Sequence, residues 1–238
     1  MLNVHKEKGA DLTVAVLNVS LKEASRFGIM NTDDKGYIYE FEEKPEKPKS
    51  TLASMGIYIF NYKELRKYLI ADAADENSKH DFGMNIIPSM LADKKKLYAW
   101  TFDGYWKDVG TVESLWQANM DLLDDKELDL YNIKKDWKIY SEDTLGKPQL
   151  IGAQASVKNS LVTQGCVVNG EVEGSVLFSN VNVGEGAKVI DSVLMPGVLV
   201  EEGAVVKKAI IDEGVVIKAG TVVNEEAEEV ALVSGNSR

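Results

Sequence analysis

Apolar positions divide the chain into two stretches with different periods, which meet near residue 145. In the first, residues 11–20 (DLTVAVLNVS) alternate Leu12, Val14 and Val16 with smaller or polar residues, a strand pattern. A second strand is predicted over 36–44 (GYIYEFEEK), entered through the turn-forming Asp33-Asp34-Lys35-Gly36, and a buried third over 54–61 (SMGIYIFN). The spacing of Leu65, Tyr68 and Leu69 predicts a helix over 63–71 with those three on one face. Further helices are expected near 83–95 and over 111–124, the last with Thr111 as N-cap, and residues 96–102 (KLYAWTF) read as another strand. Strands alternating with helices predict an α/β layer built on a mixed sheet.

The second stretch carries a repeat. Glycine, a small residue, any residue and an aliphatic recur six times, starting at Gly165, Gly186, Gly197, Gly203, Gly214 and Gly220. The aliphatic positions Val183, Val189, Leu194, Val200, Val206, Ile211, Ile217 and Val223 lie five or six residues apart, so a full coil takes 17 residues, as from Val183 to Val200. Ile151, Val157, Val162 and Val168 begin the same pattern, and a shorter coil from 168 to 183 joins the two sets. This spacing predicts a left-handed parallel β-helix of hexapeptide-repeat type. A β-branched residue points inward at every corner, stacked on its counterpart one coil away, while glycine permits the turn backbone. A β-sandwich would instead want strands every 8–12 residues with alternating patterning. Three segments are therefore expected: an α/β part over 1–133, a polar linker over 134–149, and a β-helix over 150–238.

Composition narrows the chemistry. The 238 residues are 45% hydrophobic and 27% charged, with a formal net charge of −11, which argues against nucleic acid or an anionic membrane as partner. No apolar run is long enough to span a bilayer and the first residues are no secretion signal, so a cytoplasmic chain is expected. The single cysteine, Cys166, precludes an internal disulfide and reads as a buried apolar filler in a small inward position. The two histidines, His5 and His80, both precede the repeat, so the coils can carry neither a three-histidine zinc site nor a histidine general base. That leaves the β-helix as a platform for oligomerisation or regulation.

Four polar clusters interrupt the first stretch: SRFGIM (25–30), FEEKP (41–45), KHDFGMNIIP (79–88) and YWKDVGT (105–111). All lie at predicted strand or helix ends, where α/β sheets place their ligands. Gly28 suits a close backbone approach; Glu43 and Asp81 can accept from sugar hydroxyls; Trp106 can stack on an apolar sugar face; and Lys44 can hold a phosphate. Asp108 can hold Mg²⁺, which takes one or two carboxylates and otherwise phosphate and water. The residue types fit a phosphorylated sugar. Each also has a plainer reading: Glu43 and Lys44 as a solvated charge run, Asp81 as a helix N-cap, Trp106 as core, with Lys107 facing solvent.

Those clusters together with SMGIYIF (54–60), in this order and followed by the β-helix, resemble bacterial glucose-1-phosphate adenylyltransferase over nearly the whole chain, roughly His5 to Val223. The resemblance implies synthesis of ADP-glucose and diphosphate from ATP and glucose 1-phosphate in glycogen biosynthesis, by an allosteric, oligomeric (homotetrameric) enzyme. It implies that Gly28, Glu43, Lys44, Ser54, Tyr58, Asp81, Phe82 and Trp106 surround the glucose 1-phosphate, with Lys44 on its phosphate. Asp108 would be one of two carboxylates holding a catalytic Mg²⁺.

Two features depart from that family. Its Gly-rich loop of the form GxGxRLxPLT is absent, the only glycine before Gly28 being Gly9, and the second metal-binding Asp belongs with it. The chain is therefore expected to be a fragment, inactive alone. Asn85 also stands where the family usually has Asp. The rival expectations are a non-catalytic, regulatory subunit-like module and a nucleotidyltransferase for another sugar. Half a catalytic sheet would expose a strand edge, which is expected to be covered by a neighbouring chain or rearranged.

Overall fold

The computed structural model describes residues 1–124 and 146–235. The boundary expected at 133 and most of the linker expected over 134–149 lie outside them. The chain forms two compact units, Met1–Gly104 and Tyr105–Arg238.

The first unit opens with helix α1 (Leu2–Lys8), which the apolar pattern does not announce; Gly9 ends it in the left-handed region at φ 55°. Strand β1 (Leu12–Asn18), the short helix α2 (Leu21–Ala24), strands β2 (Gly28–Thr32), β3 (Ile38–Glu43) and β4 (Leu52–Phe60), helix α3 (Tyr62–Ala73), a π-turn over Phe82–Ile86, helix α4 (Ile87–Ala92) and strand β5 (Leu97–Thr101) follow. The sheet order is β3-β2-β4-β1-β5, with β1 and β5 parallel and the other pairs antiparallel, so the mixed sheet is borne out.

On one face Leu12, Val14, Val16, Met30, Leu97 and Ala99 pack with Ile86, Ile87 and Met90, burying the main core. β1 is covered on both faces, since Thr13 and Ala15 are buried too. The Thr13 hydroxyl lies 2.8 Å from Nδ1 of His5, which ties α1 to the sheet. Burial pushes the His5 imidazole below its ordinary value, against the opposing charge of Asp11.

Three expectations need correcting. β4 is not the buried strand its composition suggests, because three of its residues oppose one of β1: Val14 pairs with Tyr58 and Val16 with Ser54, so Met55, Gly56 and Ile57 bulge out. Gly56 takes φ 70°, and Ile57 is exposed. On α3, Leu65 and Tyr68 pack on the core but Leu69 points to solvent. The segment near 83–95 is a π-turn followed by a short helix: Ile86 and Ile87 donate to the carbonyls of Asp81 and Phe82, five residues back. Pro88, in the first turn of α4, has no N–H to contribute.

The free edge of β5 is partly covered from within the unit. The Ala99 N–H donates to the Gly36 carbonyl at 3.0 Å, and Tyr37 and Tyr98 meet edge to face at 5.5 Å. Gly36 takes φ 85°, and a β-carbon there would stand 3.1 Å from the Tyr98 ring.

The second unit begins with helix α5 (Val112–Met120), where Thr111 and Ser114 form a reciprocal capping box, as expected of Thr111. From Leu150 the chain winds as a parallel β-helix of three five-stranded sheets. The inward aliphatics lie on the strands, not at the corners, in three columns: Ile151, Val168, Val183, Val200 and Ile217; Val157, Val172, Val189, Val206 and Val223; Val162, Leu177, Leu194, Ile211 and Val233. Val172 and Leu177 supply the sides of the short coil that the spacing left blank.

All six repeat glycines take left-handed φ between 66° and 78°. A further corner does the same with Asn159, Gly174, Asp191 and Lys208, and a serine follows the first three. Each serine hydroxyl donates to the carbonyl two residues back and accepts from an amide of the next coil. Ser160 accepts from Ser175, Ser175 from Ser192 and Ser192 from Ala209. Cys166 is buried, as expected; its thiol lies 3.0 Å from the Phe178 carbonyl, and burial pushes it above its ordinary value. Helix α5 is tied to this corner, Trp116 donating from Nε1 to the Asp191 carbonyl at 2.7 Å while the Lys208 ammonium lies over the indole.

Two outcomes are expected. Leu194→Ala, at a fully buried position, should cost about 2–5 kcal/mol in urea unfolding, whereas Ile151→Ala, at the exposed first coil, should cost less than about 1 kcal/mol. In the first unit, bonds from Lys67 and Lys95 hold the Glu64 carboxyl at about 2, below its ordinary 4.5. A depressed carboxyl stabilises the fold fully above its unfolded value and loses that contribution as pH falls. Wild-type stability should therefore decline between roughly pH 4.5 and 2 more steeply than that of Glu64→Gln, as urea midpoints across that range will reveal.

Candidate functional site

At one end of the first unit's sheet, the structure brings together residues from β2, β3, β4 and the π-turn. Gly28 pairs with Glu43 across the β2–β3 ladder. A β-carbon on Gly28 would stand 2.6 Å from the Phe41 ring and 3.1 Å from Oε2 of Glu43. One on Gly83 would stand 3.0 Å from the same carboxylate oxygen and 3.1 Å from the same ring. The Glu43 carboxylate thus lies in a slot between two glycines, with Phe41 behind it. Gly28 was expected to make room for a ligand; what it makes room for here is Phe41.

Tyr58 stands beside this slot at the end of the β4 bulge. Burial raises its hydroxyl above the ordinary value; Ser54 opposes the shift, and the charges of Asp81 and Glu43 add to it. Phe82 packs on Tyr58 and Phe60, with ring centroids 5.6 and 5.5 Å away, forming an aromatic wall. Ser54 also has a local task, since its hydroxyl accepts from the Gly56 amide within the bulge.

Asp81 caps the π-turn. Its Oδ1 accepts from the Met84 amide at 2.8 Å, and its own amide donates to Oδ1 of Asn85 at 3.3 Å. The plainer reading of Asp81 as an N-cap is therefore realised, and Asn85 acts as its reciprocal partner. Lys44 follows Glu43 at φ 45°, a conformation disfavoured for a residue with a β-carbon, and its amide donates to the Phe27 carbonyl. It is exposed, at the strand end where Pro45 interrupts the ladder.

Trp106 and Asp108 belong to the second unit. The loop that bears them is fastened by a residue that composition did not single out, Asp121, which is buried and accepts from Tyr105, Lys107 and Gln117. Burial pushes the Asp121 carboxyl up, but the bonds from Gln117, Lys107 and Tyr105 outweigh it and leave it below the usual range. Lys107 is exposed, as expected, and its ammonium lies 3.0 Å from Oδ2 of Asp121. Trp106 is half-buried and Asp108 exposed. Among the described residues no group of three or more His, Cys, Asp or Glu is arranged to hold a metal ion. Asp108 offers a single carboxylate, which fits a magnesium ion that takes its other ligands from phosphate and water.

A family model described as nucleotidyl transferase matches residues 1–125, and one described as GlmU-like, C-terminal hexapeptide, matches 149–232. Proteins named glucose-1-phosphate adenylyltransferase from Clostridium beijerinckii and Clostridium perfringens are 59% and 60% identical over 192 residues, 80% of this chain and 49% and 48% of their own lengths. One of that name from Fusobacterium nucleatum is 53% identical over 192 residues, covering 80% of this chain and 50% of its own length. The chain spans about half the length of these relatives, and the resemblance read from its motifs is borne out.

The slot makes a graded prediction. Gly28→Ala should destabilise the chain by about 1–3 kcal/mol, because the Phe41 ring is packed on the core and cannot swing away. Gly83→Ala should cost less, since the tighter of its two contacts is with the movable end of Glu43. Shortening the ring in Gly28→Ala/Phe41→Leu should restore part of the loss; denaturant midpoints of the single and double variants check the order.

Proposed function

Because the chain belongs to the nucleotidyl transferase family, we propose that it carries the sugar-phosphate side of a glucose-1-phosphate adenylyltransferase, the reaction that joins ATP and glucose 1-phosphate into ADP-glucose and diphosphate in glycogen biosynthesis. The observation that carries this reading is the Glu43 carboxylate in its slot between Gly28 and Gly83, beside the π-turn that Asp81 caps and the aromatic wall of Tyr58, Phe60 and Phe82. Vicinal sugar hydroxyls need acceptors on one side and an apolar surface on the other, and this end of the unit offers both.

Glu43 and Asp81 accept from the sugar hydroxyls, Tyr58, Ser54 and Phe82 line the site, and Gly28 lets Phe41 pack behind Glu43. Lys44 binds the phosphate, and its strained backbone holds it at the strand end. By the family resemblance Trp106 would stack on the sugar and Asp108 would hold magnesium, which when bound would neutralise phosphate charge. The 238 residues contain no Gly-rich loop of the form GxGxRLxPLT, so alone they bind the sugar phosphate without transferring a nucleotidyl group.

The β-helix serves assembly into a homo- or hetero-oligomer, a reading supported by aliphatics left exposed on its first and last coils: Leu150, Ile151, Val216, Val222 and Leu232. No helix among the described residues is long and apolar enough to cross a membrane.

Calorimetric titration of the chain with glucose 1-phosphate tests the reading. Saturable binding is expected, weakened about tenfold in Glu43→Gln, the size of one charge-assisted hydrogen bond. Lys44→Ala should weaken glucose 1-phosphate while leaving glucose unaffected. Absence of saturable binding, or equal effects of Lys44→Ala on both ligands, would overturn it.

A further inference from the structure

His80, immediately before Asp81, adopts φ 54°, which a β-carbon disfavours. The residue that holds it there is distant in sequence. Asp72, in the last turn of α3, has its side chain 12% accessible and splits its carboxylate between two partners. Oδ1 accepts from the Ser78 hydroxyl at 2.5 Å, and Oδ2 accepts from Nδ1 of His80 at 2.8 Å. Ser78 in turn accepts from the His80 amide at 3.0 Å, closing a ring of three bonds. The Ser78 bond, and then the His80 bond, hold the Asp72 carboxyl below the usual range.

Helix stability does not account for Asp72. A carboxylate in a last turn faces the negative end of the helix dipole, and α3 has no basic residue there to offset it. Both of its bonds reach forward, out of the helix, to the segment that delivers Asp81 and Phe82. The Asp81 carboxylate is then aimed by the Met84 amide, and its backbone by Asn85.

We infer that Asp72 is a positioning residue for the sugar-phosphate site, gripping Ser78 and His80 so that Asp81 and Phe82 stand against Tyr58. This rests on the function proposed above. Asp72 makes no contact with the sugar and acts only by narrowing the positions open to Asp81.

The test titrates the full 238-residue chain with glucose 1-phosphate and follows the Met84 amide by ¹H–¹⁵N NMR, since that amide reports directly on the Asp81 cap. Asp72→Ala should weaken binding about three- to tenfold, the scale of a partly exposed hydrogen bond acting through a neighbour, and should move the Met84 signal upfield. Asp72→Asn keeps one acceptor and should fall between. Ser78→Ala and His80→Ala should each weaken binding, and Asp72→Ala/His80→Ala should be no weaker than the worse single variant, because the two residues act as a unit.

If the wild type binds and Asp81→Asn weakens it, yet Asp72→Ala leaves affinity and the Met84 signal unchanged, the inference is wrong while the proposed function stands. If the wild type does not bind, both fall. Should Asp72→Ala not fold, Ser78→Ala and His80→Ala decide: unchanged affinity in both overturns the inference.

Discussion

A backbone amide taken from water has to find another acceptor, and wherever regular structure breaks in this chain the replacement acceptor determines what stands nearby. At Pro88 the helix lacks a donor, and the turn before it widens so that Ile86 and Ile87 reach back five residues. The Met84 amide, an unpaired donor of the first turn, goes to the Asp81 carboxylate. In β4 the three-residue bulge turns the Gly56 amide to the Ser54 hydroxyl, and the strand resumes at Tyr58. At the left-handed corners of the β-helix, Ser160, Ser175 and Ser192 carry amide bonds from one coil to the next. Asp81, Ser54 and Tyr58 owe their places to breaks in the hydrogen-bond ladder as much as to the core beneath them.

The same accounting explains what could be read from the sequence. The β-helix was legible because glycine and an inward aliphatic recur at nearly fixed spacing, and both answer to local geometry. The corner at Asn159, Gly174, Asp191 and Lys208 was not, because four different residues there adopt one backbone conformation. Val172 and Leu177 were missed because the short coil breaks the spacing that would have marked them. In the first unit, alternation placed β1 correctly. Composition misled over β4, since an aliphatic, β-branched and aromatic run signals burial while a bulge depends on register with a partner strand. Helix α1 was invisible because none of its residues is buried, so it has no apolar stripe to detect.

The site followed the same division. Glu43, Tyr58, Asp81 and Phe82 could be singled out from the sequence. Their supports could not, because those lie on other elements: Gly83 in the π-turn beside Glu43, and Asp121 under the loop bearing Trp106 and Asp108. Residue type signals a chemical capability. It gives no sign that a glycine is needed because a ring from another strand occupies the space.

The two readings of Asp81, helix cap and sugar ligand, are compatible. A carboxylate has two oxygens and about four acceptor positions, and the cap engages Oδ1 alone. A carboxylate free to rotate would have to be ordered by the ligand itself, at a cost to affinity, whereas one already held by a main-chain amide presents its second oxygen in a narrow range of directions. The cap is therefore part of what would make Asp81 an effective acceptor. The same logic applies to Glu43 in its slot, where two glycines and a ring restrict the side chain before any sugar arrives. Both carboxylates are restrained before any ligand binds, one by an amide and one by shape.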